Sequence, residues 1–151
     1  MAERWSGRLA TLRAMAALSA ARLLITFIPF YRWRSSLGGN APPPPTPLQL
    51  ADTVSQAKRL ARQVEWAAHR LPFETKCLPR AIALSWILRA EQIGHALVLA
   101  ARPAELRHQP NALHAWIEIG RTKVIGDLPG PWIESLRLER ETPATTSVNA
   151  G

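Results

Sequence analysis

The sequence predicts an α+β fold, in which helices from the first part of the chain pack on a small antiparallel sheet from the last part. The 151 residues are 47% hydrophobic and 20% charged, which is enough apolar material for the core of about one domain. Apolar residues recur at helical spacing in the first part, and short apolar or alternating runs follow. Helices that precede strands, instead of alternating with them, are typical of the α+β class.

Residues 1–34 are predicted to form a helix, because Ala, Leu and Arg dominate them and no proline precedes Pro29. Their polar residues fall on one narrow stripe, and most other positions are apolar. Arg22 interrupts the apolar run, which therefore suits neither a signal peptide nor a membrane-spanning helix of about 20 apolar residues. We expect the helix either to pack on the protein's own core or to bind a partner or an anionic membrane surface.

A run of four prolines divides the chain. Such a run cannot be helical and favours an extended conformation, so residues 38–47 are predicted to be a stiff linker. The linker would join a helical arm, residues 1–37, to a compact domain, residues 48–135. Residues 136–151 end in a Thr-, Ser- and Pro-rich stretch and are predicted to be a disordered tail.

The compact domain is predicted to begin with two helices. Apolar residues at a spacing of three or four indicate a helix over 48–70 that ends before Pro72. Pro79 suits the first turn, and Gly94 the C-terminal cap, of a second helix over 78–92. The apolar and alternating runs that follow predict strands over 96–100, 113–119 and 122–127, with a loop over 102–112.

Composition excludes several kinds of site. One cysteine allows no internal disulfide, and four histidines without paired spacing predict neither a metal site nor a cofactor held by one. Residues 1–40 carry a net charge of +5 out of the total of +8, so the rest of the chain has an ordinary surface and no nucleic-acid-binding domain is expected.

Cys77 is the candidate nucleophile. It lies at the predicted N-terminus of the second helix, where unpaired backbone N–H groups and the helix dipole favour the thiolate. The flanking cations Lys76 and Arg80 act in the same direction. The same N–H groups are suited to bind the oxyanion of an acyl-transfer intermediate. The alternative for a lone cysteine is a small buried hydrophobic residue.

The predicted hairpin supplies a base and a carboxylate to orient it. A two-residue turn at Gly120 and Arg121, of type II′, sets the register of the two strands. Residues directly opposite each other have Cβ atoms about 5 Å apart, so a carboxylate opposite His114 would fix its tautomer and stabilise its charged form. Trp116, on the same face, is predicted to be a wall of the substrate cleft. The predicted pairs are Ile119 with Thr122, Glu118 with Lys123, Trp116 with Ile125, and His114 with Asp127.

A thiol, a histidine and a carboxylate in this arrangement predict acyl-transfer chemistry. Three functions remain open from these residues: a cysteine protease, an acyl transferase that passes the thioester to an amine, and a non-enzymatic module that binds a partner or a membrane. The other histidines, His69, His95 and His108, are expected to be structural or solvated.

Two sequence blocks and their order resemble a known family. The blocks 77–84, Cys-Leu-Pro-Arg-Ala-Ile-Ala-Leu, and 114–118, His-Ala-Trp-Ile-Glu, followed by 124–127, Val-Ile-Gly-Asp, resemble the leader peptidases of lasso-peptide biosynthesis, which are transglutaminase-like cysteine proteases. Leu23-Leu24, Pro29-Phe30 and Trp33-Arg34 resemble the N-terminal helix of the stand-alone members. The resemblance spans about residues 20–127 and implies a transglutaminase-like or papain-like core.

The resemblance implies a protease that removes the leader from a ribosomally synthesised precursor peptide. In that family, Cys77 would be the nucleophile, His114 the general base and acid, and Asp127 the group that orients it. We expect Trp116, Lys76 and Arg80 to bind substrate.

The resemblance also implies partners. They are the precursor, a separate small leader-binding protein and an asparagine-synthetase-like macrolactam cyclase, because residues 1–47 are too short for a fused leader-binding domain. The expected location is the cytoplasm, with membrane contact through residues 1–37.

Overall fold

Helices and a four-stranded antiparallel sheet pack together around the main core. The structure, a computed structural model, describes residues 2–38 and 47–139, with side chains from residue 7 onward. The helices are α1 (Ala2–Phe27), the short α2 (Phe30–Trp33), α3 (Pro47–Ala68) and α4 (Cys77–Ala90). The strands are β1 (Ala96–Ala101), β2 (Leu113–Ile119), β3 (Thr122–Ile125) and β4 (Ile133–Leu138), in the sheet order β3-β2-β1-β4. This is the α+β arrangement, with helices packed on a small antiparallel sheet, that the sequence predicts.

One face of α1 belongs to the main core. Ala14, Leu18 and Ala21 are fully buried in the core cluster that also holds residues of α3 and α4. Arg13 makes an ion pair of 2.7 Å with Glu91, just beyond the end of α4. This face therefore packs on the protein's own core, which is one of the two expectations for the N-terminal helix. The proposed linker lies largely in residues 39–46, outside the described residues, so the division into arm, linker and domain stays a prediction.

A buried hydrogen-bond network ties the chain after α2 to α4. The hydroxyl of Ser85 accepts a bond of 3.1 Å from the backbone N–H of Gly38 and lies 2.7 Å from Nε2 of His95. The N–H at Nδ1 of His95 donates to the carbonyl of Ile93 at 2.8 Å, so Nε2 of the neutral ring accepts a hydrogen bond from the Ser85 hydroxyl. His95 is structural, as expected from the sequence.

Most helix and strand bounds lie within two residues of the sequence predictions, but the end of the first helix and the end of the sheet do not. The helix predicted over 1–34 is wrong at its C-terminal end: α1 ends at Phe27, before Pro29, and Phe30–Trp33 forms a separate short helix. The strand β4 was not predicted, and it pairs with β1 along the edge of the sheet. Residues 136–138 belong to this strand, so the prediction of a disordered tail from 136 onward is wrong there. Residues 140–151 lie outside the described residues.

The hairpin between β2 and β3 is partly as predicted. The two-residue turn and the pairs Ile119 with Thr122 and Glu118 with Lys123 are confirmed. Gly120 and Arg121 have φ values of +52° and +70°, which makes the turn type I′ instead of type II′.

A bulge then shifts the register of this hairpin, so that Ile117 faces Ile125 and the predicted pairs Trp116 with Ile125 and His114 with Asp127 are wrong. Gly126, with φ of +77°, turns the chain away immediately after β3.

Candidate active site

Cys77 lies on the first turn of α4. The preceding residue, Lys76, is extended and caps the helix without a side-chain hydrogen bond. The N–H groups of Cys77 and Leu78 have no partner within the helix, because the first turn of any helix leaves its N–H groups unpaired, and Pro79 contributes none. The N–H of Leu78 donates to the Cys77 sulfur. The N–H of Cys77 belongs to the same residue as the reacting sulfur, and an unpaired N–H in this position is suited to bind an oxyanion.

The strand β2 brings His114 to the thiol. The His114 ring and the backbone N–H of Ala115 both hydrogen-bond to the sulfur. Burial raises the pKa of the Cys77 thiol, but these bonds, the charge of His114 and the Leu78 N–H outweigh it and hold the pKa below its ordinary value.

The bond to Cys77 raises the pKa of His114, against burial, and the Gly126 carbonyl adds to the rise. The two shifts favour a thiolate–imidazolium pair.

A main-chain carbonyl orients His114, not the predicted carboxylate. Nε2–H of His114 donates to the carbonyl oxygen of Gly126 at 2.6 Å, which leaves Nδ1 for the thiol. The Asp127 side chain is 84% exposed and lies 3.9 Å from Nζ of Lys123. The predicted hydrogen bond between His114 and Asp127 is therefore wrong, because both ring nitrogens have other partners.

The physical reason is the close approach of Gly126 to β2. A Cβ atom built on Gly126 would lie 2.6 Å from the carbonyl oxygen of Ala115, and its φ is positive. Glycine is therefore the residue that fits this position. It lets the backbone come close enough for its own carbonyl to reach His114, and the following carboxylate points outward to solvent.

Trp132 stacks on His114 and was not predicted as a site residue. The two ring centroids lie 5.0 Å apart at an interplanar angle of 28°. The indole N–H of Trp132 donates to the carbonyl of Leu128 at 3.0 Å, and the guanidinium of Arg102 lies 4.5 Å from the indole centroid. The alternation of apolar and polar residues after Trp132 was the available signal, since it predicts the strand β4.

The Cys77–His114 pair opens onto a cleft of about 720 Å³. Lys76, Arg80 and Asp127 line it, and substrate binding by Lys76 and Arg80 stays a prediction. Arg80 is already paired with Glu65, at 2.7 Å, so Lys76 is the more accessible of the two cations.

Trp116 does not line the cleft, contrary to the prediction. It is buried in a separate cluster with Val98, Ala100 and Trp132, and its indole N–H donates to Glu118 at 2.7 Å. Trp116 does lie on the same face of β2 as His114, as predicted, and the centroids of the two rings are 5.9 Å apart. However, its side chain packs under the site and does not face the cleft.

Within residues 2–38 and 47–139, no group of three or more His, Cys, Asp and Glu side chains is arranged to hold a metal ion. The chemistry that these residues support is a nucleophilic thiolate, an imidazolium that can donate and recover a proton, and a helix N-terminus beside them.

Comparison with known families shows the superfamily of the chain. A family model described as the transglutaminase-like superfamily matches residues 14–133, a span that contains Cys77, His114, Gly126 and Trp132. No curated protein and no solved structure gives a significant match. Members of that superfamily are generally cysteine-peptidase-like enzymes, and related ones transfer acyl groups. Because the match covers well over half of the chain, the protein belongs to the transglutaminase-like superfamily.

Proposed function

We propose that this protein is a cysteine peptidase that removes the leader from a ribosomally synthesised lasso-peptide precursor. The observation that carries the peptidase part is the hydrogen bond between Cys77 and His114 at the mouth of an open cleft. The leader-peptidase part is supported by the two sequence blocks around these residues and by their order in the chain.

The first half-reaction forms a thioester. The Cys77 thiolate attacks the carbonyl carbon before the scissile bond, and the negative charge that develops on the carbonyl oxygen is stabilised by the N–H of Cys77. His114 gives its Nδ1 proton to the leaving amine, the C–N bond breaks, and the core peptide departs with a free amino terminus. Meanwhile the Gly126 carbonyl keeps the ring in place through Nε2.

The second half-reaction releases the leader. Neutral His114 takes a proton from a water molecule, whose oxygen attacks the thioester carbon. The carbon–sulfur bond breaks, the leader leaves as a carboxylic acid, and the thiolate–imidazolium pair is restored. No cofactor takes part in either step.

The proposal includes three partners. The precursor peptide is the substrate, a separate small leader-binding protein delivers it, and an asparagine-synthetase-like cyclase uses the freed core peptide. The proposed location is the cytoplasm.

The test is leader release followed by mass spectrometry. Wild-type protein, Cys77→Ala and His114→Ala are each incubated with precursor and the leader-binding protein, and His108→Ala, an exposed loop histidine, is the matched control. We expect release by the wild type and the control and at least a thousandfold loss in Cys77→Ala. Release by Cys77→Ala at the wild-type rate would contradict the proposal.

The same measurement separates hydrolysis from acyl transfer. Hydrolysis leaves a carboxylic acid at the new C-terminus of the leader, whereas transfer to an added amine leaves an amide of different mass. Amide as the main product would replace the peptidase assignment with an acyl transferase.

A further inference from the structure

The side of α1 that faces away from the core carries a row of large apolar side chains. On a helix with 100° per residue, Leu9, Leu12, Leu23 and Phe27 fall within a sector of about 60°, opposite the buried Ala14 and its neighbours. All four are exposed, Phe27 to 76%. Ile28 and Tyr31, just beyond the end of α1, are also exposed, and we call these six residues the apolar stripe.

The apolar stripe is a concentration of exposed apolar surface. Of the eleven large hydrophobic residues that are exposed in the described part of the chain, six belong to it, so the exposure is not scattered evenly. Single exposed apolar residues are ordinary, but several of them on one side of a helix indicate an interaction surface.

The charge around the stripe is of one sign. Residues 7–38 contain five arginines and neither Asp nor Glu. Arg13 and Arg22 are held by Glu91 and by the Glu74 carbonyl, whereas Arg8, Arg32 and Arg34 are exposed next to the stripe in sequence. A second copy of this surface would bring arginines against arginines, so self-association through the stripe is disfavoured.

We propose that the apolar stripe seats the protein on the surface of an anionic lipid membrane, with α1 lying in the plane of the surface. Leucine and aromatic side chains that enter the boundary between headgroups and acyl chains, with arginines beside them for the anionic headgroups, are typical of helices that bind in this way. Tyr31 and Phe27, at the end of the stripe, suit the same boundary.

The packing of α1 argues for lying on the membrane and against crossing it. By length and composition alone, the segment Gly7–Phe27 is a candidate membrane span. However, Ala14, Leu18 and Ala21 are completely buried in the core, and the Arg13–Glu91 ion pair fixes the helix to α4. Crossing would expose that core, whereas lying flat uses only the surface that is already exposed.

The test is sedimentation of the full-length protein with lipid vesicles. The vesicles are phosphatidylcholine alone or phosphatidylcholine with one third phosphatidylglycerol, at low and high salt. The variant Leu9→Ser/Leu23→Ser/Phe27→Ser removes half of the stripe at exposed positions. Leu48→Ser, which changes a residue that is 75% exposed at the start of α3, is the matched control. Circular dichroism checks that every variant is folded.

We expect the wild type and Leu48→Ser to bind the anionic vesicles, and the triple variant to bind at least tenfold more weakly. Binding should weaken in high salt and on neutral vesicles. A second variant, Arg8→Gln/Arg32→Gln/Arg34→Gln, should lose the preference for anionic lipid while its helix stays intact.

Several results would overturn the proposal: no vesicle binding by the wild type, equal binding by the folded triple variant, or no preference for anionic lipid. So would a dimer, or a complex with the leader-binding protein, that depends on the stripe in the absence of vesicle binding. Because binding is measured without substrate, these outcomes are independent of the proposed peptidase activity.

Discussion

Replacing Asp127 by asparagine is expected to leave the reactivity of the Cys77–His114 pair almost unchanged. The substitution removes the negative charge and keeps the size of the side chain. In a Cys-His-Asp triad this carboxylate would hold the imidazole. Here the Gly126 carbonyl accepts the Nε2–H bond at 2.6 Å, and Asp127 points to solvent.

The size of the effect separates the two arrangements. An exposed ion pair such as that of Asp127 with Lys123, at 3.9 Å, is worth at most about 1 kcal/mol after solvent screening. Since 1.36 kcal/mol corresponds to a tenfold change in rate, we expect a change of less than about fivefold. Loss of the carboxylate from a working triad lowers kcat by about 10⁴.

The assay is the rate of alkylation of Cys77 by iodoacetamide at pH 7, which needs no substrate. Leader release at saturating precursor is measured in parallel, because Asp127 lines the cleft and its loss can change KM. Asp52→Asn, at an exposed position on α3, is the matched control. A fall of a hundredfold or more in both rates, with the control unaffected, would show that Asp127 does orient His114.

Four further predictions concern the same site and the core beneath it. Gly126→Ala should slow alkylation of Cys77 at least tenfold and reduce the free energy of unfolding by about 1–3 kcal/mol, because φ is +77° at this position. Alkylation at the wild-type rate would contradict the role of the Gly126 carbonyl. The Cys77 thiolate, followed by its absorbance at 240 nm, should persist to pH values below those of glutathione because its pKa is lowered, and His114→Ala should abolish that difference. Trp132→Leu should slow alkylation at pH 7 about two- to fivefold and move the midpoint of its pH profile to higher pH, because a stacked ring stabilises the imidazolium. Trp132→Phe should keep the wild-type profile, and identical profiles for all three proteins would refute the stacking role. Burial lowers the pKa of His95 below its ordinary 6.5, so the unfolded state binds the proton more readily and the free energy of unfolding should fall as the pH drops below about 6.5. Urea unfolding at pH 7 and pH 5 should show a smaller fall in His95→Gln than in the wild type, and an equal fall would contradict this assignment.

The parts of the fold that local patterns determine could be predicted from the sequence. Helical spacing, the proline in the first turn of α4 and the turn at Gly120 and Arg121 act over a few residues. The elements α3, α4, β1, β2 and β3 lie within two residues of their predicted bounds. The helix N-terminal position of Cys77 is likewise a local property. It follows from the proline that suits the first turn of the helix.

What the sequence could not predict depends on contacts between distant segments. The bulge near Val124 adds one residue to β3 and changes every later pair, yet no local pattern distinguishes it from a regular strand. The sequence shows that residue 126 is a glycine, but it does not show its positive φ or its close approach to Ala115, which depend on the position of β2. Trp132 reaches His114 because β4 joins the far edge of β1, which is a non-local pairing.

A neutral acceptor behind the imidazole changes its behaviour during the proposed cycle. Among the described residues, the anion whose charge raises the pKa of the ring is the sulfur of Cys77. Once the sulfur is acylated that counter-ion vanishes, while the amide dipole behind the ring offers far less compensation than a full negative charge would. Acylation therefore lowers the pKa of the His114 ring. The neutral ring can then accept a proton at the stage when a water molecule must be activated.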